Sequence, residues 1–253
     1  TESELIEAIQ SYDALLPTVT DAITDKIISS ERRNAKIIGN FGVGFNNIDI
    51  ESAKKNNVVV TNTPEVLTDC TADIAMLLLL GVSRNASEGE FHVRKQEWTG
   101  WRPTHMMGTK VTGKTLGLVG MGRIAQAVAH KAHFGFNMKI AFFDPYFKNE
   151  DIIKKFDAKP FDSLENMLEI SDFVSLHCPS TNETKGLINY DVLSKMNKNS
   201  YLINTARGDI VVESDLVKAL ENKIIKGAGL DVYESEPIVN RDLLDFKNVF
   251  LLP

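Results

Sequence analysis

Apolar residues fall along this chain in short runs bounded by turn residues, and the runs alternate with stretches of helical spacing. The first region starts amphipathic, with Leu5, Ile6 and Ile9, and then carries the runs Ala14-Leu15-Leu16, Lys36 to Phe41 and Val58 to Thr61. Pro17, Gly42, Gly44, Asn56-Asn57 and Pro64 punctuate them. A long helix is expected from about Thr68 to beyond Phe91, capped by Asp69 or Thr71, with Ile74, Leu77, Leu78 and Val82 as its apolar stripe. The segment Trp98 to Pro103 reads as a loop. After Gly113 the alternation becomes regular. Strands are expected at 115–120, 139–144, 173–178, 200–206, 227–233 and 248–252, and helices at 123–134, 163–170, 189–196 and 213–223. In the first of these helices Ile124, Val128 and Ala132 share one face.

Strand and helix in strict alternation imply an α/β fold with a parallel sheet. The expectation is a doubly wound, Rossmann-type domain of about six strands over residues 71–253, and a smaller α/β domain over residues 1–70. Composition narrows the function classes. A net charge of −6 argues against a broad nucleic-acid-binding face, which needs clustered Lys and Arg. The longest apolar run, Ile74 to Val82, is too short to span a bilayer. Cys70 and Cys178 have no CxxC spacing, so neither a metal site nor a disulfide framework is expected. Their number suits a reducing compartment, and a cytoplasmic protein is expected.

The strand expected at 115–120 runs directly into the helix expected at 123–134 through Gly120-Met121-Gly122-Arg123-Ile124-Ala125. Gly120 permits the tight turn, and Gly122 lets the backbone approach a pyrophosphate. Ala125 is small enough for the third position of a GxGxxG turn. The backbone N–H groups around Met121, Arg123 and Ile124 would meet the pyrophosphate at the positive end of the helix. Asp144 ends the next strand, where a carboxylate accepts from both ribose hydroxyls of NAD and repels a 2′-phosphate. NADH is therefore expected over NADPH.

Three more polar groups lie at strand carboxyl ends, where ligands of such sheets bind: Arg207, Asp231 and Glu236. An Arg and two carboxylates beside a nicotinamide suit reduction of an α-keto acid. Each residue taken alone could equally be a surface charge at a loop start.

Asn204-Thr205-Ala206-Arg207-Gly208-Asp209-Ile210-Val211, together with Leu230-Asp231-Val232-Tyr233-Glu234-Ser235-Glu236-Pro237, resembles the D-isomer-specific 2-hydroxyacid dehydrogenase family. The likeness spans nearly the whole chain. Asn40 to Asp49 resembles the family's substrate loop. Thr61-Asn62-Thr63-Pro64 and Thr71-Ala72-Asp73 resemble its hinge and first cofactor-domain helix, and Leu176-His177-Cys178-Pro179 with Glu183-Thr184 its loop over the adenosine. The resemblance implies that the smaller domain is flavodoxin-like and lacks an N-terminal strand and a C-terminal helix.

It also implies roles. Arg207 would bind the substrate carboxylate and polarise the carbonyl, with the N–H groups of Val43 and Gly44 on the carboxylate's other side. Asp231, with the backbone of Thr205 and Ala206, would hold the nicotinamide carboxamide. Thr71, His177, Cys178, Pro179 and Thr184 would also contact cofactor. Glu236, preferred over Glu234 because it directly precedes Pro237, would orient a histidine as general acid. The family places that histidine immediately after Pro253, so the chain is expected to be part of a longer protein. His92, His105, His130 and His133 read as structural or surface residues, His177 as a loop contact, and Cys178 as a small filler. Trp98, Trp101 and Pro103 resemble the glyoxylate and hydroxypyruvate reductase branch, and the helix near 71–95 the arm through which such enzymes dimerise. The alternatives are D-3-phosphoglycerate or D-lactate oxidation and, from another class, an NAD-sensing corepressor-like binding protein.

Overall fold

Thr1 accepts a hydrogen bond from the N–H of Glu4, whose carboxylate reaches back to the first residue, and this capping box starts helix α1 (Glu2–Ser11). The computed structural model describes residues 1–253, which divide into two compact units, Thr1–Thr68 and Asp69–Pro253.

In the first unit α1 is followed by β1 (Ala14–Leu15), α2 (Asp25–Ile28), β2 (Ile37–Gly39), α3 (Ile50–Lys55) and β3 (Val59–Thr61). The three strands pair in parallel in the order β1-β2-β3. Ile9, Ile27, Ile28, Ile38 and Ala53 form the core on one sheet face. Ile37 and Val59, pointing the other way, remain exposed.

The second unit begins with α4 (Thr68–Ser83, but for its first residue) and α5 (Ala86–Arg94). The single long helix expected there is broken. Asn85 takes a left-handed conformation at φ +54°, which ends one helix and starts the next. Then come β4 (Thr115–Val119), α6 (Arg123–Phe136), β5 (Lys139–Phe143), α7 (Glu150–Lys155), β6 (Lys159–Pro160), α8 (Leu164–Ile170) and β7 (Phe173–Leu176). The chain continues through α9 (Tyr190–Leu193), β8 (Tyr201–Asn204), a 3₁₀ turn (Gly208–Ile210), α10 (Glu213–Glu221), β9 (Gly227–Leu230), α11 (Arg241–Leu244) and β10 (Val249–Leu251).

All seven strands are parallel, in the order β10-β9-β8-β7-β4-β5-β6. The sheet is doubly wound about β4, where the strand order reverses. The expected count of about six omits β6, a two-residue edge strand ending in proline, which only an edge tolerates. α7 and α11 were likewise not expected. The helix expected at 189–196 is a single turn, α9. Alternate strand residues feed two cores: Leu116, Leu118, Phe173 and Ile203 meet α4 and α6, whereas Val174, Leu176, Leu202 and Leu230 meet α8 and α10. Each large apolar side chain so buried contributes roughly 1.5–3 kcal/mol. α6 buries Ala125, Val128, Ala129 and Ala132, so its inner face is centred on alanines and Ile124 lies at its margin. The small side chains let the helix approach the sheet closely.

Candidate active site

Because the large sheet is parallel, β4, β5, β7, β8 and β9 all end on one edge. The turn after β4 takes its shape from Gly120, at φ +88°. A Cβ there would stand 3.0 Å from the His177 carbonyl and the Cys178 nitrogen, so the turn fits against the loop after β7 only as glycine. Gly122 caps α6 without any side-chain acceptor, and the first turn of that helix carries no acid. A Cβ on Gly122 would meet nothing within 4 Å. The start of a 14-residue helix thus has open space beside Gly122 and brings the positive end of its dipole there, which suits an anion.

Asp144 braces this turn. One carboxylate oxygen accepts from the Met121 N–H at 2.9 Å and the other from the Tyr146 N–H at 3.0 Å. Beside it opens a cavity of about 770 Å³ lined by Val119, Gly120, Gly122, Phe143, Asp144, His177, Cys178, Pro179 and Thr184, among others. Tyr146 donates to Glu183 at 3.3 Å, joining the loops after β5 and β7, both of which line the cavity. The polar turn, helix end and terminal carboxylate fit a dinucleotide. A smaller cavity, about 410 Å³, opens at the opposite sheet edge beside Thr115 and Lys139, away from the strand carboxyl ends.

Two titratable groups of the cavity wall are held neutral. Burial pushes the His177 imidazole down to about 4, and its Nε2 lies 2.9 Å from the Ser175 hydroxyl. Burial pushes the Cys178 thiol up to about 11. At neutral pH neither is an ion, so they shape the wall without adding charge.

At the next two strand ends, Asn204 ties the loop that carries Arg207. Its amide donates to the Arg207 carbonyl at 2.9 Å, and its oxygen accepts from the Ala206 N–H at 3.0 Å. The Arg207 guanidinium is partly exposed and donates to the Ala206 carbonyl at 2.6 Å. A Cβ on Gly208 would fall 1.9 Å from the Tyr233 carbonyl group, so the Arg207 loop and the acidic loop after β9 stack backbone on backbone. Asp231 donates its N–H to the Asn204 carbonyl at 3.0 Å. Burial first, then the nearby Glu236 charge, raises the Asp231 pKa. Glu236 accepts from the Tyr233 N–H at 2.9 Å and is otherwise exposed.

Arg207, Asp231 and Glu236 therefore sit on two adjacent, interlocked strand ends. Thr205 and Ala206 lie on the same loop as Arg207, while Thr71 stands in α4; none of these lines the cavity beside Asp144. Met121 is buried beneath the glycine turn, and Arg123 and Ile124 open α6. No histidine of the chain hydrogen-bonds Glu236: His92 pairs with Glu97, and His133 lies 3.1 Å from the Met138 carbonyl.

In the first unit the loop after β2 is pinned by amides. Asn40, buried, donates to the Gly44 carbonyl at 2.7 Å, Asn62 donates to the Val43 carbonyl at 2.8 Å, and Asn47 donates to Asn40 at 3.1 Å. With both carbonyls held, the Val43 and Gly44 N–H groups find no acceptor within the unit.

Sequence reasoning missed Asn204, Glu213 and Tyr233. Glu213 is buried and accepts from the Glu234 N–H at 2.7 Å, and the Tyr233 hydroxyl donates to the Leu252 carbonyl at 2.6 Å. An acid at the start of an apolar-faced helix was the available signal for Glu213, and it reads first as a helix-end charge.

Comparison with known proteins adds independent findings. The D-isomer specific 2-hydroxyacid dehydrogenase, NAD binding domain, matches residues 76–253. A glyoxylate reductase of Thermococcus litoralis is 46% identical over 98% of this chain and 75% of its own length. A glycerate dehydrogenase of Hyphomicrobium methylovorum is 40% identical over 100% of this chain and 78% of its own. The crystal structure of a glyoxylate reductase from Paecilomyes thermophila superposes with a TM-score of 0.89 at 32% identity, covering 100% of this chain and 78% of that one.

Proposed function

The chain belongs to the D-isomer specific 2-hydroxyacid dehydrogenase family, an NAD(H)-binding family acting on small 2-hydroxy and 2-keto acids, and we propose that it reduces glyoxylate or hydroxypyruvate with NADH. The observation that carries the reading is that Arg207, Asp231 and Glu236 stand on two adjacent strand ends, on the same sheet edge as the cavity of about 770 Å³ beside the glycine turn. The relatives named as glyoxylate reductase and glycerate dehydrogenase support the choice of substrate.

The cofactor, when bound, supplies the hydride. Gly120, Gly122 and the start of α6 bind its pyrophosphate, and Asp144 accepts from the adenosine ribose. The loop 177–184 covers that side. Asp231, with the backbone of Thr205 and Ala206, orients the carboxamide. Arg207 binds the substrate carboxylate and polarises its carbonyl, a task that suits an always-charged planar fork. In the first unit, the N–H groups of Val43 and Gly44 bind substrate. Glu236 orients the imidazole that protonates the new alkoxide. In this reading residues 1–70 serve the substrate and 71–253 the cofactor.

NADH is preferred over NADPH because Asp144 would face the 2′-phosphate. A homodimer forms through the region of α4 and α5. In support, α5 buries no residue of its own, and Phe91, Val93, Trp98 and Trp101 are exposed in and after it. No helix is long and apolar enough to cross a membrane. The two free thiols suit the cytoplasm.

A steady-state panel tests the substrate. With NADH, glyoxylate or hydroxypyruvate should give the highest kcat/KM. Pyruvate or phosphohydroxypyruvate better by about tenfold, some 1.4 kcal/mol in transition-state binding, would overturn the assignment.

A further inference from the structure

Glu213 is the first residue of α10, and it is only 7% exposed. None of the roles above uses it. A buried carboxylate is costly unless hydrogen bonds and nearby positive potential compensate. Two features compensate here. The Glu234 N–H donates to its Oε1 at 2.7 Å. The amino-terminal end of α10 supplies positive potential, since its N-cap, Val212, has no side-chain acceptor to offer. A leucine would fill the same space without the desolvation cost. What the carboxylate adds is a fixed acceptor for one backbone N–H of the loop between Asp231 and Glu236.

That loop has few other ties. The Tyr233 N–H is held by Glu236, from within the loop. The Ile238 N–H donates to the Ser235 carbonyl, also locally. Gly208 packs against the Tyr233–Glu234 peptide, and the Tyr233 hydroxyl anchors the side chain to Leu252, but neither offers the Glu234 N–H an acceptor. Glu213 reaches this peptide from 21 residues away. It holds the backbone midway between the two acids.

We propose that Glu213 is a positioning residue for the reduction: by holding the Glu234 peptide it sets the loop from which Asp231 meets the carboxamide and Glu236 meets the imidazole. The proposal rests on the NADH-dependent reading above. Burial raises the Glu213 pKa, the hydrogen bond from Glu234 opposes that, and the Glu234 charge raises it further. Glu213→Gln keeps an oxygen where the Glu234 N–H needs one. Glu213→Leu keeps the bulk and removes the acceptor.

The test uses the full-length protein and two readouts, steady-state kinetics and amide hydrogen exchange over residues 232–236. Glu213→Leu should lower kcat with glyoxylate about ten- to a hundredfold, as displacements of the order of an ångström do, with a far smaller change in the Kd of NADH. Exchange at 233–236 should quicken. Glu213→Gln should restore both readouts close to wild type. If Glu213→Leu does not fold, Glu213→Asp carries the test: its withdrawn acceptor should lower kcat and quicken exchange by smaller amounts. Unchanged exchange, a kcat loss matched by the loss of NADH binding, or a Gln variant as impaired as the Leu variant overturns the proposal. An inactive wild type would sink the reductase reading and with it the catalytic part of this proposal. Exchange would then still decide whether Glu213 holds the loop.

Discussion

The dinucleotide cavity and the acid-bearing strand ends share one edge of one sheet, yet they are built by different means. The phosphate-facing turn of the cavity is local and largely backbone. Gly120, Gly122 and the start of α6 lie within a few residues of one another, and Asp144 reaches back to brace them through the Met121 N–H. The strand ends are made by side chains and by contacts far apart in sequence: Gly208 against Tyr233, and Glu213 against Glu234. Backbone tolerates many side chains around it, whereas a stacked pair of loops fixes them. Cofactor binding and chemistry should therefore be separable by mutation.

The largest separation is expected at Arg207. Arg207→Ala should lower kcat/KM for glyoxylate by about 10²–10³-fold, as loss of one preorganised electrostatic donor does. The Kd of NADH, read from its fluorescence, should move far less. A parallel loss of NADH binding would mean that the two regions are one.

The next effect belongs to the cavity and to pH. His177 is held neutral in the folded state, with its pKa depressed to about 4 against an ordinary 6.5. The unfolded chain therefore binds the extra proton first as pH falls. The stabilisation linked to this group is whole above about pH 6.5 and is lost as pH falls towards 4, up to about 3 kcal/mol. Chemical denaturation at pH 7 and pH 4.5 should show that loss, and His177→Gln should reduce it. An equal acid loss in the variant would remove His177 from the account.

The smallest effect concerns cofactor choice. Asp144→Ser should narrow the preference for NADH over NADPH by about tenfold, or 1.4 kcal/mol, without touching substrate KM. An unchanged ratio of kcat/KM for the two cofactors would place the discrimination elsewhere in the cavity.

The same contrast explains what the sequence disclosed. The glycine turn and Asp144 were legible because strand, turn and helix follow one another in the chain and each carries its own signal. Arg207, Asp231 and Glu236 were legible as a set through family likeness, since each alone resembles a surface charge. Glu213 was not, because its partner is a backbone N–H 21 residues away, and no side chain marks that pairing. The break between α4 and α5 escaped notice because Arg84 to Glu90 holds no proline and reads as a polar continuation of the same helix, although α5 buries none of its residues. β6 escaped because two residues carry no periodicity. In the first unit the loop at 40–47 was recognised by resemblance, but the brace of Asn40, Asn47 and Asn62 needs coordinates, since any of the three reads equally as a turn residue.

Hydroxypyruvate added to the full-length protein with NADH tests the central claim directly, if both NADH oxidation and the chirality of the glycerate are followed. A member of the D-isomer specific family in which Arg207 fixes the substrate should yield D-glycerate, with one NADH consumed for each molecule formed. NADH that binds without being oxidised, as in an NAD-sensing binding protein, or a product that is L-glycerate, would contradict the account.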